Sequence, residues 1–83
     1  MKKFFLDARE LAHPEPLRIS LEYLKEMSEK DYFYMLNVRK PIPLLELAKG
    51  KGYRLFTHED NNKNWHIIIS KNYQQNLEEL LDV

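Results

Sequence analysis

Two proline pairs, Pro14-Glu15-Pro16 and Pro41-Ile42-Pro43, divide this chain into extended and helical stretches. Proline is tolerated in the first helical turn, where its missing N–H would have had no partner, and it cannot donate to a strand ladder. Each pair therefore predicts a point where a strand gives way to a helix. Ahead of the first pair runs the extended start Phe4-Phe5-Leu6-Asp7. After it Leu17, Leu21 and Leu24 recur at helical spacing, flanked by Ser20 and Met27, so a helix from near Pro14 should turn this stripe toward the core. Asp31 to Val38 is rich in aromatic and β-branched residues and reads as a second strand. The helix opened by the second pair carries Leu44, Leu45, Leu47 and Ala48. It ends at Gly50 and Gly52, because glycine adopts the left-handed conformation past a helix C-terminus without steric cost.

Tyr53–His58 and Trp65–Ser70 read as strands on either side of Glu59-Asp60-Asn61-Asn62-Lys63-Asn64, a segment dense in turn formers. A register symmetric about Asn62 pairs His58 with His66 and Phe56 with Ile68, and sets Leu55, Thr57, Ile67 and Ile69 on the other face, under the helices. The order is β-α-β-α-β-β. From Asn72 onward Tyr73, Leu77, Leu80 and Leu81 fall at helical spacing, which predicts a C-terminal amphipathic helix over 72–83 beyond a domain of residues 1–71. With both helices on one side of the sheet, Phe56 and Ile68 would face water on the other. Either the tail covers them or a second copy of the chain does, so homodimerisation through the open face or the tail helix is one of two readings.

Composition narrows the function more than it names it. The chain has 83 residues, enough for one modest core that buries roughly 60% of the surface exposed on unfolding. Thirteen basic and thirteen acidic residues give a net charge of +0, so no bulk field attracts nucleic acid or an anionic membrane. Asp7 ends the first apolar run long before a membrane span or signal peptide would, and a soluble, unprocessed chain is expected. There is no cysteine, which excludes disulfides, thiolate nucleophiles, persulfide chemistry and cysteine metal sites and fits a cytoplasmic protein.

The stretch Leu6-Asp7-Ala8-Arg9-Glu10-Leu11-Ala12-His13-Pro14-Glu15-Pro16-Leu17 resembles the opening motif of the TusA/SirA-like sulfur carriers, Leu-Asp-x-Arg-Gly-Leu leading into Cys-Pro-x-Pro. Glu10 stands where that family has glycine and His13 where it has the reactive cysteine, so the sulfur relay does not carry over. A cysteine-less, uncharacterised branch, of the domain-of-unknown-function 2249 type, is more similar. It shares the second Pro-x-Pro-Leu, here Pro41-Ile42-Pro43-Leu44, and the Gly-Tyr that follows, here Gly52-Tyr53. The match runs from about residue 4 to 70. It implies an α/β (α+β) two-layer sandwich with a mixed four-stranded sheet, the last strand inserted between the second and third. Ile67-Ile68-Ile69, apolar toward both faces, suits that central place.

Parallel first and second strands would end on one edge of the sheet, gathering Arg9, His13, Asn37, Arg39 and Lys40 where both helices begin, with Glu15, Pro16 and Pro41 on the helix entrances. These residues are the candidate ligand- or partner-binding set. Helix N-termini and basic side chains together suit an anion or carboxylate. On the opposing reading Arg9 pairs with Asp7 or Glu10, and Arg39 and Lys40 are solvated. His13 can serve as nucleophile, proton carrier or ligand only with suitable neighbours, and no ligand spacing surrounds it, so a local cap or a specificity contact is the simpler reading. His58 and His66 face each other closely enough to share a metal or a haem edge, with Asp60 or Asn64 completing the set, against two polar residues at the wet end of a hairpin. Trp65 has no basic stripe for nucleic-acid stacking. The expectation is a non-catalytic module without cofactor that binds a protein partner or small anionic ligand at the strand-to-helix edge, and neither nucleic acid nor membrane. The runner-up is an accessory of a redox or sulfur/nitrogen-oxide pathway that contacts a metal, haem or anionic metabolite.

Overall fold

The computed structural model of the protein describes residues 1–82. In chain order they form β1 (Lys3–Asp7), α1 (Glu15–Glu26), β2 (Tyr32–Asn37), α2 (Ile42–Gly50), β3 (Arg54–Glu59), β4 (Trp65–Ser70) and a short 3-10 helix over Leu77–Leu80. The sheet order is β1-β2-β4-β3, with β1 parallel to β2 and β4 antiparallel to both of its neighbours. This is the mixed four-stranded α+β fold that the resemblance implies, with its last strand between the second and third. The hairpin keeps the register symmetric about Asn62: His58 lies opposite His66 and Phe56 opposite Ile68. Asp60 fixes that turn, its Oδ1 accepting the N–H of Asn62 and of Asn64.

β4 is walled in on both sides, and Ile67, Ile68 and Ile69 are each 0% exposed. Under the helices Ile67 and Ile69 pack with Leu6, Phe33, Met35, Leu24, Leu44 and Ala48. The stripe that α1 turns inward is Ser20, Leu24 and Met27, with Leu17 partly buried, and this corrects the sequence reading of Leu21 as core. Leu21 follows Ser20 by about 100° around the helix, which carries it off the buried face and leaves it 36% exposed. Leu47 on α2 is likewise 42% exposed, while Leu44, Leu45 and Ala48 are buried. Of the two glycines only Gly52 takes a positive φ, +77°, and Gly50 simply closes α2.

On the other face Tyr34 and Ile68 meet Leu77, with Phe56, Leu80 and Leu81 beside them. The tail therefore lies over its own sheet, but not as the amphipathic helix that the leucine spacing predicts over 72–83. Helical structure is confined to Leu77–Leu80 and is of the 3-10 kind, and Val83 lies outside the described residues. The cause is local competition for backbone groups. Arg54 Nη1 collects the carbonyls of Asn72, Tyr73 and Gln75, which a helix would need for its own ladder. The side chains of Asn72 and Asn76 accept the N–H of Gln74 and Glu78 and hold the chain in turns. Tyr73, an expected member of the apolar stripe, is 73% exposed and donates its hydroxyl to the Gly52 carbonyl.

Leu77 is the one buried side chain of the tail among the described residues, 3% exposed. Leu77→Ala should lower the free energy of unfolding by about 2–3 kcal/mol, the usual cost of a core leucine truncation. Urea denaturation measures it, and a loss below about 0.5 kcal/mol, the size of a surface change, would mean that the tail does not close this face.

Candidate functional site

The parallel pairing of β1 with β2 sets Asp7 beside Leu36, so both strands end at one edge of the sheet. The Ala8 N–H continues the pairing to the Leu36 carbonyl at 2.8 Å, after which the two chains part toward α1 and α2. Between them opens a cleft of about 460 Å³ whose lining includes His13, Pro16, Asn37, Arg39, Lys40 and Pro41. Its apolar walls are Leu11, Ala12, Leu17, Val38 and Pro43 together with the prolines. Ligands of open α/β sheets generally bind outside the carboxyl ends of parallel strands, where this cleft lies.

Two residues of the candidate set lie elsewhere. Arg9 grips Asp7 through Nε at 2.9 Å and Nη2 at 2.7 Å, and lines a neighbouring depression with Asp7, Glu10 and Val38. Beside the guanidinium, the Asp7 carboxyl is held below its ordinary range. Glu15 is bound by Arg18 at 2.6 Å, which lowers its pKa in the same way. The opposing reading of Arg9, as a partner of Asp7, describes its geometry.

The helix entrances contribute less than their dipoles suggest. Pro14 and Pro41 are the N-caps of α1 and α2, and neither helix has a side-chain cap, so His13 is not one. Pro16 and Pro43 have no N–H, and the N–H groups of Glu15 and Ile42 are taken by the Ala12 and Lys40 carbonyls at 2.9 Å. In each first turn, among the described residues, only the Leu17 and Leu44 amides remain unpaired. The charge of the cleft thus rests on side chains. Arg39 and Lys40 are exposed and take part in none of the ion pairs among the described residues. Lys40 Nζ rests 5.3 Å from the centre of the Trp65 ring, and Asn37 Oδ1 accepts the Val38 N–H at 2.9 Å. His13 is exposed, with no hydrogen-bonded side chain to orient it among the described residues.

The histidine pair does different work. The rings of His58 and His66 lie 6.1 Å apart, but His66 is 5% exposed, a correction to the picture of two polar residues at the wet end of the hairpin. Its Nε2 meets Asp60 Oδ2 at 2.8 Å and its Nδ1 meets the Tyr34 hydroxyl at 2.6 Å. An ionised carboxylate only accepts, so Nε2 donates to Asp60, and in the neutral ring that leaves Nδ1 to accept the Tyr34 O–H. The Tyr34 oxygen in turn accepts the Asp82 N–H at 3.0 Å, and the Asp82 carboxylate pairs with Lys3. Both nitrogens of His66 are thereby committed, and no group of three or more potential metal ligands occurs among the described residues. Tyr34 is the member that sequence reasoning missed. The signal was there: a tyrosine on a central strand needs a partner for its hydroxyl, and His66 lies on the same face, diagonal to it across β2 and β4.

Tyr34→Phe leaves His66 Nδ1 and the Asp82 N–H without their buried partner and should cost about 1–3 kcal/mol in urea unfolding; an unchanged midpoint would contradict the connection. Hydrogen bonds from His66, first, and from the Asn64 N–H hold the Asp60 carboxyl below its ordinary pKa. A folded-state pKa below the unfolded one adds stability that is complete above the unfolded value, about 4, and disappears as pH falls through the lower folded value. Unfolding midpoints should fall as pH drops below about 4, less steeply in Asp60→Asn. Equal slopes in both proteins would contradict this.

Three comparisons bear on the chain. The family model described as an uncharacterized conserved protein, DUF2249, matches residues 5–71. The crystal structure of a SirA-like protein from Desulfitobacterium hafniense is similar with a TM-score of 0.72 and 23% identity, covering 87% of this chain and 99% of that one, and this likeness concerns the fold. No curated protein matches the sequence.

Proposed function

The chain belongs to the family of uncharacterized conserved proteins DUF2249, and from that premise we propose that it is a non-catalytic binding module, its cleft taking a segment of a protein partner in which an apolar side chain stands next to carboxylates. The observation that carries this reading is the composition of the cleft. Leucine, valine and proline wall it, and among the described residues Arg39 and Lys40 stand at it without acidic partners and no acidic residue lines it. A desolvated apolar anchor supplies affinity at such a surface, while the cations select a complementary charge and speed the encounter. Proline spacing weakens the case for a small inorganic anion, because the first turns offer one unpaired amide each.

Catalysis lacks a constellation. The chain has no cysteine, so the sulfur relay of the carriers it resembles has no acceptor atom. Imidazole as nucleophile or base needs an orienting partner, and His13 has none among the described residues. The runner-up, a metal or haem contact through His58 and His66, would have to break the bonds from His66 to Asp60 and Tyr34. No helix among the described residues is long and apolar enough to cross a membrane, and a cytoplasmic partner is part of the proposal.

Amide NMR with a blocked Glu-Leu-Glu tripeptide and, separately, inorganic sulfate tests the reading. The tripeptide should shift Leu17, Val38, Arg39 and Lys40, weakly and with salt sensitivity, and the shifts should vanish in the double variant Arg39→Glu, Lys40→Glu. Equal shifts with sulfate alone would assign the cleft to small anions instead, and no shift with either would overturn the proposal.

A further inference from the structure

A second hollow lies on the helical layer. It measures about 520 Å³ and is lined by Leu21, Leu24, Leu47 and Tyr53, with Lys25, Lys51 and Lys71 around them and no acidic residue. Leu21 and Leu47 are exposed where an inward turn of either helix would have buried them. Lys25 and Lys51 take part in no ion pair among the described residues. Lys71 donates to the Met27 carbonyl at 2.6 Å, a neutral acceptor at the end of α1, so its charge is not cancelled there.

The position of this hollow gives it meaning. β3 is antiparallel to β4, which is antiparallel to β2, so β1, β2 and β3 all run one way and both helices run back against them. Their N-termini meet at the cleft and their C-termini at the hollow. On α1 Leu17 lines the cleft and Leu21, one turn further on, lines the hollow; on α2 Pro43 and Leu47 are related in the same way. The two cavities are successive stations along the α1–α2 seam, each with leucines in its lining, with Arg39 and Lys40 at one end and the three lysines at the other.

We infer that the seam between α1 and α2 seats one acidic amphipathic helix of a partner protein, its apolar stripe spanning both cavities and its carboxylates meeting the cations at the two ends. This rests on the cleft reading above and extends it. Lysines near helix C-termini also complement the helix dipoles, but that leaves Leu21 and Leu47 unexplained, and a partner helix accounts for both features. An α-helix laid in an apolar groove recognises it through side chains at i, i+3, i+4 and i+7, a repeat that fits stations one helical turn apart. Charge complementarity makes the occupant acidic. A second copy of the chain is a poor fit, since on its α1 segment Arg18 already holds Glu15 and Glu22, which leaves Glu26 as the one carboxylate outside an ion pair among the described residues and sets Lys25 against the lysines of the hollow.

The probe is a synthetic amphipathic peptide of about 15 residues, roughly 22 Å as a helix, with leucines on one stripe and glutamates at both ends. Titrated into the intact protein, it should shift amides around Val38 and Arg39 and also around Leu21, Leu47 and Lys51. Leu47→Glu and Lys25→Glu, both at exposed positions, should each weaken it at least about tenfold while leaving the tripeptide's shifts at the cleft unchanged. Shifts confined to the cleft, or full affinity in both variants, would overturn this inference and leave the cleft reading intact. Shifts confined to the hollow, or none at all, would overturn this inference too, and the tripeptide titration then decides the cleft reading separately.

Discussion

Burial of Ile67, Ile68 and Ile69 toward both faces of β4 is the constraint from which the rest follows. Each such side chain removed from water is worth about 2 kcal/mol, and in a chain this small that is a large share of net stability. Two of the three require the helices and the third requires the tail, so both layers must close for the central strand to be stable. Polar contacts add to the packing of Leu77: Arg54 gathers the tail's carbonyls, Tyr73 reaches Gly52, and Asp82 meets Tyr34 and Lys3. Because Tyr34 also bonds His66, and His66 bonds Asp60, the tail, the central strands and the hairpin turn share one connected line of hydrogen bonds.

The same arrangement determines what is left for recognition. With the tail over the open face, Leu11, Val38, Leu21 and Leu47 are uncovered along α1 and α2 and at the strand ends, while Phe5, exposed at the edge of the open face, lies beneath Lys3. The proline pairs start both helices at one edge, but they also remove the amide donors that would have made those starts strong anion sites. What they leave is an apolar cleft whose charge comes from Arg39 and Lys40, and the proposed function is built on that difference.

Much of this was legible in the sequence, because the signals were local. Proline pairs mark helix starts whatever the tertiary context, and a turn as dense in Asp and Asn as 59–64 fixes the register of its own hairpin. The cleft membership of His13, Asn37, Arg39 and Lys40 followed from strand direction alone. The failures share a cause, which is that competition from distant groups does not appear in a periodicity. Leucine spacing predicted a helix in the tail, but Arg54, eighteen residues or more away, took the carbonyls that the helix needed. Leu21 satisfied the helical stripe as well as Ser20 did, and only packing against the sheet decided that the small serine, with its hydroxyl bonded to the Pro16 carbonyl, faces inward. His66 looked like the wet end of a hairpin because its partners came from a different strand and from the turn.

Native-state hydrogen exchange at the amides of Ile67, Ile68 and Ile69, compared between the intact chain and Leu77→Ala, tests the central claim most directly. If the two cores share β4 as one cooperative wall, all three amides exchange through global unfolding, and loosening the tail accelerates them by the same factor. Acceleration confined to the tail amides, with the three isoleucines unchanged, would contradict the account.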